Sequence, residues 1–180
     1  MEREYLDVLD SKGNKTGIKL NREEIHKKGY WHQSVHIWLI NNKNEVLLQK
    51  RSLNKSSNPG MLDLSCTGHL SSGEDILEGA LRELKEELNI SADKNELKYI
   101  ATVKRKRIER KKNYNNKEHC TVYILKSNID LNDIEYNTRE VSEVLYVSYN
   151  DLVKLIKDKN SQLIKYTDEY KIVIPMLKKA

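Results

Sequence analysis

GHLSSGEDILEGALRELKEELNI, residues 68–90, is the stretch that decides how this 180-residue chain folds. Leu77, Ala80, Leu81, Leu84 and Leu88 recur at helical spacing and predict an amphipathic helix over Asp75–Leu88. Ser72, three residues before Asp75, reads as a capping-box start, with Glu74 and Asp75 at the positive end of the helix dipole. Asn89 stands where a left-handed cap would end the helix. Off the apolar stripe, Glu83, Glu86 and Glu87 share about 100° of helix surface. Like charges three and four residues apart destabilise a helix. A solvated acidic face is the ordinary reason for such a cluster, but a hard dication among the carboxylates would offset the repulsion. Gly79, one turn before Glu83, leaves room for another backbone to come close, and Arg82 is placed to tether one carboxylate.

Outward from this helix, alternating or apolar runs predict strands at Tyr5–Leu9, Val35–Ile40, Glu45–Lys50, Leu62–Cys66, Tyr99–Val103, His119–Leu125 and Val144–Val147. Asn41 to Asn44 reads as a hairpin turn, because Asn tolerates left-handed backbone. Further helices are expected at Asn150–Lys157 and Asp168–Leu177. Interspersed strands and helices, without repeats or a Pro/Gly/Ser-rich linker, predict one layered α/β domain over residues 1–180. No stretch approaches the ~20 apolar residues of a membrane span. Cys66 and Cys120 lack metal-type spacing, so a reducing cytosol is the expected home. The net charge of +5 fits a small anion as well as nucleic acid and does not choose between them.

Gly68-x5-Glu74-x7-Arg82-Glu83-Leu84-x-Glu86-Glu87-x-Asn89-Ile90 resembles the signature of the Nudix hydrolases, departing from it at Asn89, where the family prefers Gly. The resemblance implies an α/β/α sandwich with a mixed β-sheet between helices, and a loop–helix–loop that holds Mg²⁺ or Mn²⁺. Carried over by position, it implies Glu83 and Glu87 as principal metal ligands and Glu86 as a ligand or the base that activates water. The carbonyl of Gly68 would be a further ligand, while Glu74 and Arg82 keep loop and helix in register. Diphosphate cleavage needs charge neutralised on phosphoryl oxygens and a water in line, which a carboxylate–metal cluster facing a basic pocket supplies.

The N-terminal half, including Trp31-His32, Gln49-Lys50-Arg51-Ser52, Lys55 and Pro59-Gly60, is similar to the Nudix branch related to type I isopentenyl-diphosphate isomerase. That similarity implies Arg22, Arg51 and Lys55 as diphosphate-holding residues. It also implies His26, His32, His69 and Glu118 as members of a metal site or pocket wall. Isomerisation in that branch uses a cysteine directly before the Gly-His pair, where this chain has Thr67; Cys66, one position earlier, would face the other side of a strand. Asn116 replaces one metal-binding glutamate of the isomerase, and the signature helix is complete. These departures point to hydrolysis of a small nucleoside-diphosphate derivative or other organic diphosphate. The run Lys104–Lys112, seven basic residues in nine, reads either as a solvated hairpin or as a track for an RNA backbone beside Tyr114.

Overall fold

The computed structural model describes residues 4–109 and 114–179. The described chain runs β1 (Tyr5–Leu9), β2 (Lys15–Asn21), α1 (Arg22–Lys28), β3 (Trp31–Ile40), β4 (Glu45–Arg51), β5 (Leu62–Asp63), β6 (Cys66–His69) and α2 (Ile76–Leu88). It continues through β7 (Leu97–Glu109), β8 (Tyr114–Lys126), β9 (Val141–Ser148), α3 (Tyr149–Lys157) and α4 (Thr167–Leu177). Strand β3 is the hub: it runs parallel to β8 and antiparallel to β1, β4 and β6. The sheet is therefore mixed, as expected. Helix α2 buries Ala80, Leu84 and Leu88 against Val35, Ile37, Leu39 and Cys66 on one face. Helices α3 and α4 bring Leu152, Val173 and Leu177 against Trp38, Ile40, Val122 and Ile124 on the other. Covered on both faces, β3 is buried almost continuously from His32 to Ile40, with an apolar run in its last four residues, Ile37–Ile40.

The predicted strand over Leu62–Cys66 is two strands. Residues 62 and 63 pair with β4, whereas Cys66–His69 pairs with β3. The chain crosses between them over Leu64 and Ser65, where the Ser65 hydroxyl donates to the Leu47 carbonyl (2.6 Å) and accepts the Leu39 N–H (2.8 Å). The start of α2 also differs from expectation. Asp75 is the N-cap and accepts the N–H groups of Leu77 and Glu78. Ser72 instead donates its hydroxyl to Asp7 (2.6 Å), tying the loop to β1. Gly79 admits side chains rather than backbone: a Cβ there would lie 3.0 Å from Glu74 Oε2 and 3.1 Å from Leu70 Cγ. The turn at 41–44 forms as read, with Asn44 at φ 58° and Asn41 Oδ1 accepting from Lys43 and Glu45.

Strand β2 is exposed along most of its length, and its Ile18–Leu20 alternation, preceded by Gly17, is too short to predict a strand. Helix α1 has seven residues, too few to show a period, yet Asn21 caps its start and left-handed Gly29 its end. Strands β7 and β8 extend well beyond their apolar cores, joining the charged segment into the sheet. Residues 110–112 of the basic run lie outside the described residues. Among the described residues no helix is long and apolar enough to cross a membrane.

Asn89 adopts the left-handed cap, with φ 53° and ψ 23°, and its N–H donates to the Lys85 carbonyl. A β-branched residue pays the left-handed steric cost that Asn tolerates and Gly avoids. Asn89→Val is expected to lower unfolding free energy by about 1–2 kcal/mol, with Asn89→Gly neutral within about 0.5 kcal/mol, in urea titrations.

Candidate active site

Sheet register assembles the site. Across β7, β8 and β3, Arg105 lies beside Glu118 and Glu118 beside His32. Across β3 and β6, Ser34 faces His69 and His36 faces Thr67. Side chains paired across strands share a face, so these residues line up on one side of the sheet. Cys66 and Gly68, one residue out of step, pair with Ile37 and Val35 and face α2. Cys66 is fully buried there and burial pushes its thiol pKa up, while Thr67 lines an open cavity.

That cavity, of about 980 Å³, is where the predicted residues converge. Gly68, Arg82, Glu83, Glu86 and Glu87 of the signature segment line it, together with Arg22, Arg51, Lys55, His69 and Glu118. Gly68 is required by contact rather than by backbone angle: a Cβ would fall 1.9 Å from Glu83 Cδ. Arg82 tethers more than one carboxylate. Its guanidinium donates to Glu74 (2.7 Å), Glu83 (2.9 Å), Glu86 (3.0 Å) and the His69 carbonyl (3.0 Å). The three glutamates are unlike one another. Glu86 is open to the cavity, with its side chain 58% exposed, whereas that of Glu83 is 13% exposed. Burial lifts the Glu83 carboxyl to about 8, against the pull of Arg82. Glu87 is also raised by burial, although its Oε2 accepts from the Thr67 N–H (3.1 Å) and Gln49 (3.0 Å). Two buried carboxylates that resist ionisation, beside a glycine cradle, are a donor set suited to a hard dication.

The basic residues are held rather than loose. Arg51 donates to Asp63 Oδ2 and to the Ser57 carbonyl, each at 3.1 Å. Lys55 pairs with Glu140, and Arg22 with Glu4 at 2.9 Å. His32 does not form cavity wall: it is fully buried behind His69, with ring centroids 5.0 Å apart. His26 packs beside both, and ligand atoms of the three rings lie within 4.8 Å of one another. Nε2 of His26 and of His32 is buried without a hydrogen-bond partner, and His69 Nε2 has only the Glu118 carboxylate near it, 3.5 Å from Oε1. Burial keeps them neutral, taking His26 down to about 4 and His69 well below the usual histidine value. Burial would raise Glu118, but Arg105 and His69 hold it well below the usual carboxylate range. Three neutral imidazoles, two of them with unsatisfied nitrogens and the third facing an ionised carboxylate, fit a transition ion.

Sequence reasoning missed Arg105 and Arg107 as cavity residues, although both lie in the basic run. The signal was its strict Lys-Arg-Lys-Arg alternation. On a strand, period two sends Lys104 and Lys106 outward, where Lys106 sits over the Trp31 ring, and turns the arginines inward. His36, Asp63 and Tyr166 were missed as well; they come from three separate elements, and only tertiary packing joins them.

The sequence pattern of the NUDIX domain family matches residues 30–170. An uncharacterized Nudix hydrolase of Clostridium acetobutylicum is 35% identical over 167 residues, covering 88% of this chain and 77% of that protein. Isopentenyl-diphosphate Delta-isomerase 1 of Mesocricetus auratus is 30% identical over 183 residues, covering 93% and 79%. A crystal structure from Deinococcus radiodurans matches over 98% of both chains with a TM-score of 0.68 at 19% identity, a likeness of fold.

The Glu83 shift fixes a pH dependence. A folded value raised from 4.5 to about 8 means that the stability contributed by this carboxyl is full below about 4.5 and is lost as pH rises from there through 8. In chelator, melting temperature is expected to fall between pH 7 and pH 8, and Glu83→Gln to flatten that slope. Mn²⁺ should raise the melting temperature of the unaltered protein more at pH 8 than at pH 7, because metal and proton compete for the same oxygens.

Proposed function

Because this chain belongs to the Nudix hydrolase family, we propose that residues 1–180 form one metal-dependent domain that cleaves a diphosphate linkage. The substrate is a small nucleoside-diphosphate derivative or another organic diphosphate. The observation that carries this reading is the pair of buried carboxylates, Glu83 and Glu87, set against Gly68 in a cavity that also presents Arg51 and Lys55. Glu83, Glu87 and the Gly68 carbonyl would hold Mg²⁺ or Mn²⁺. When bound, such an ion neutralises charge developing on the phosphoryl oxygens and lowers the pKa of a coordinated water. Glu86, open to the cavity and oriented by Arg82, is placed to take a proton from the attacking water or to complete the ligand set. Arg51 and Lys55, fixed by Asp63 and Glu140, offer N–H donors to the phosphate oxygens. Arg22 adds a third cation near the His69 side.

A second reading, isomerisation of a prenyl diphosphate, is favoured by the histidine cluster with Glu118 and by the isomerase relative. That chemistry needs an acid–base group on the wall where Thr67 stands, and the Cys66 thiol lies on the opposite face, against α2. The RNA reading loses its main support, because Arg105 and Arg107 of the basic run turn into the cavity instead of lining an outer track.

Glu86→Gln and Glu87→Gln are each expected to reduce turnover of the best substrate by at least about a hundredfold while circular dichroism and melting temperature stay near those of the unaltered protein. The assay separates and quantifies both phosphorylated products formed from nucleoside diphosphates, nucleotide sugars, dinucleotide polyphosphates and prenyl diphosphates with Mg²⁺ or Mn²⁺. Full activity in both variants would remove the hydrolase assignment. Isopentenyl diphosphate should yield no allylic isomer; its appearance would establish the second reading.

A further inference from the structure

Behind the cavity, a chain of buried hydrogen bonds runs from the C-terminal helix to one of the arginines that the basic run supplies. Glu169, on α4 and 1% exposed, accepts from Trp38 Nε1 through Oε1 and from His36 Nδ1 through Oε2, both at 2.7 Å. His36 Nε2 lies 3.0 Å from Arg105 Nη1, which also reaches Glu118 Oε2 at 3.2 Å. The Arg105 guanidinium rests on the Tyr166 ring, 4.2 Å from its centroid. Tyr166 in turn donates its hydroxyl to Asp63 Oδ1 (2.6 Å), the carboxylate that holds Arg51.

Donor counting fixes the state of each member. An arginine can only donate, so His36 Nε2 must accept and the ring's proton must sit on Nδ1, facing Glu169. Burial favours the neutral ring, whereas Cys120 and the Glu169 carboxylate draw a second proton to it and would lift its pKa to about 10; that proton, however, would set an N–H against the Arg105 N–H 3.0 Å away. The neutral Nδ1–H tautomer satisfies every partner. His36, Cys120 and Glu169 also lie within reach of one another as possible metal ligands, yet both ring nitrogens and both carboxylate oxygens are already engaged. The cluster is a positioning relay. Among the described residues no acceptor faces Arg105 Nε or Nη2, and the side chain lines the cavity.

We propose that Arg105 is a receptor for a phosphate oxygen of the substrate, and that Glu169, acting through the tautomer of His36, is the residue that aims it. The assignment rests on the diphosphate reading above and names a contact that the signature segment does not supply. It gives α4 a part in binding, although none of the residues Thr167–Leu177 lines the cavity.

Glu169→Gln tests the relay by atom replacement. The Trp38 indole can only donate, so the new amide must turn its oxygen to it and present its NH₂ to His36 Nδ1. The His36 proton then moves to Nε2 and confronts Arg105. The probe is methylenediphosphonate with Mg²⁺, measured by calorimetry, together with ¹⁵N-histidine NMR. Expected are a dissociation constant about tenfold weaker in Arg105→Met, a similar loss in Glu169→Gln, and no further loss in the double variant. The His36 proton should reside on Nδ1 in the unaltered protein and on Nε2 in Glu169→Gln. Unchanged affinity in Arg105→Met, additive losses in the double variant, or an Nε2 proton in the unaltered protein would each overturn the proposal. The last measurement and Arg105→Met decide it even if Glu169→Gln does not fold. None of these readouts uses turnover, so failure of the hydrolase reading would show separately, as diphosphate substrates left uncleaved in the product assay.

Discussion

A carboxylate taken out of water must find a cation, a set of N–H donors or a proton, because burial leaves it no other source of stabilisation. Among the described residues, Asp63, Glu83, Glu87, Glu118 and Glu169 meet that demand in different ways. Asp63 takes Arg51 and Tyr166, Glu118 takes Arg105, and Glu169 takes His36 and Trp38. Glu83 and Glu87 are less well served. Glu83 shares one guanidinium with Glu74 and Glu86, and Glu87 accepts from the neutral donors Gln49 and Thr67, with Lys55 near enough to pull on it but not bonded to it. The residual demand therefore falls on two oxygen-rich side chains beside Gly68, and it is a demand that a dication meets.

The same constraint explains how the sheet is organised. The two faces of β3 are both buried, yet they differ in chemistry. The face towards α2 is apolar through Val35, Ile37 and Leu39, with Cys66 added from β6. The other face passes from His32, Ser34 and His36 at the cavity end to Trp38 and Ile40 in the core. Polar residues can occupy this buried end because strands on either side bring complementary groups: Glu118 and Arg105 from β8 and β7, Thr67 and His69 from β6. A one-residue slip of β6 would exchange Thr67 for Cys66 on the cavity wall and push a side chain into the space that Gly68 leaves for Glu83. The signature loop, the helix and the sheet register are thus mutually dependent, and the identity of residue 67 gains its chemical meaning only from that register.

The C-terminal segment holds two of the arginines that line the cavity. Tyr166 and Glu169 are far from the signature helix in sequence, but through Asp63 and His36 they hold Arg51 and Arg105. Fixing a guanidinium before the ligand arrives lowers the entropic cost of binding, which matters most where several phosphate contacts must form together.

Much of this was legible along the chain. The helix over residues 76–88 announces itself through its leucine spacing, its glutamates fall off the apolar stripe by simple angle, and Asn89 marks the end by its tolerance of left-handed backbone. Those are local properties, set by 3.6-residue periodicity and by the conformational preferences of single residues, so sequence alone determined them. The histidine cluster, the inward turn of Arg105 and Arg107, the split at Leu64 and Ser65, and the His36–Glu169 relay were decided only by tertiary structure. Each depends on which strands become neighbours and in what register. Such long-range pairing is selected by burial of the whole sheet, a balance that no short window of residues contains.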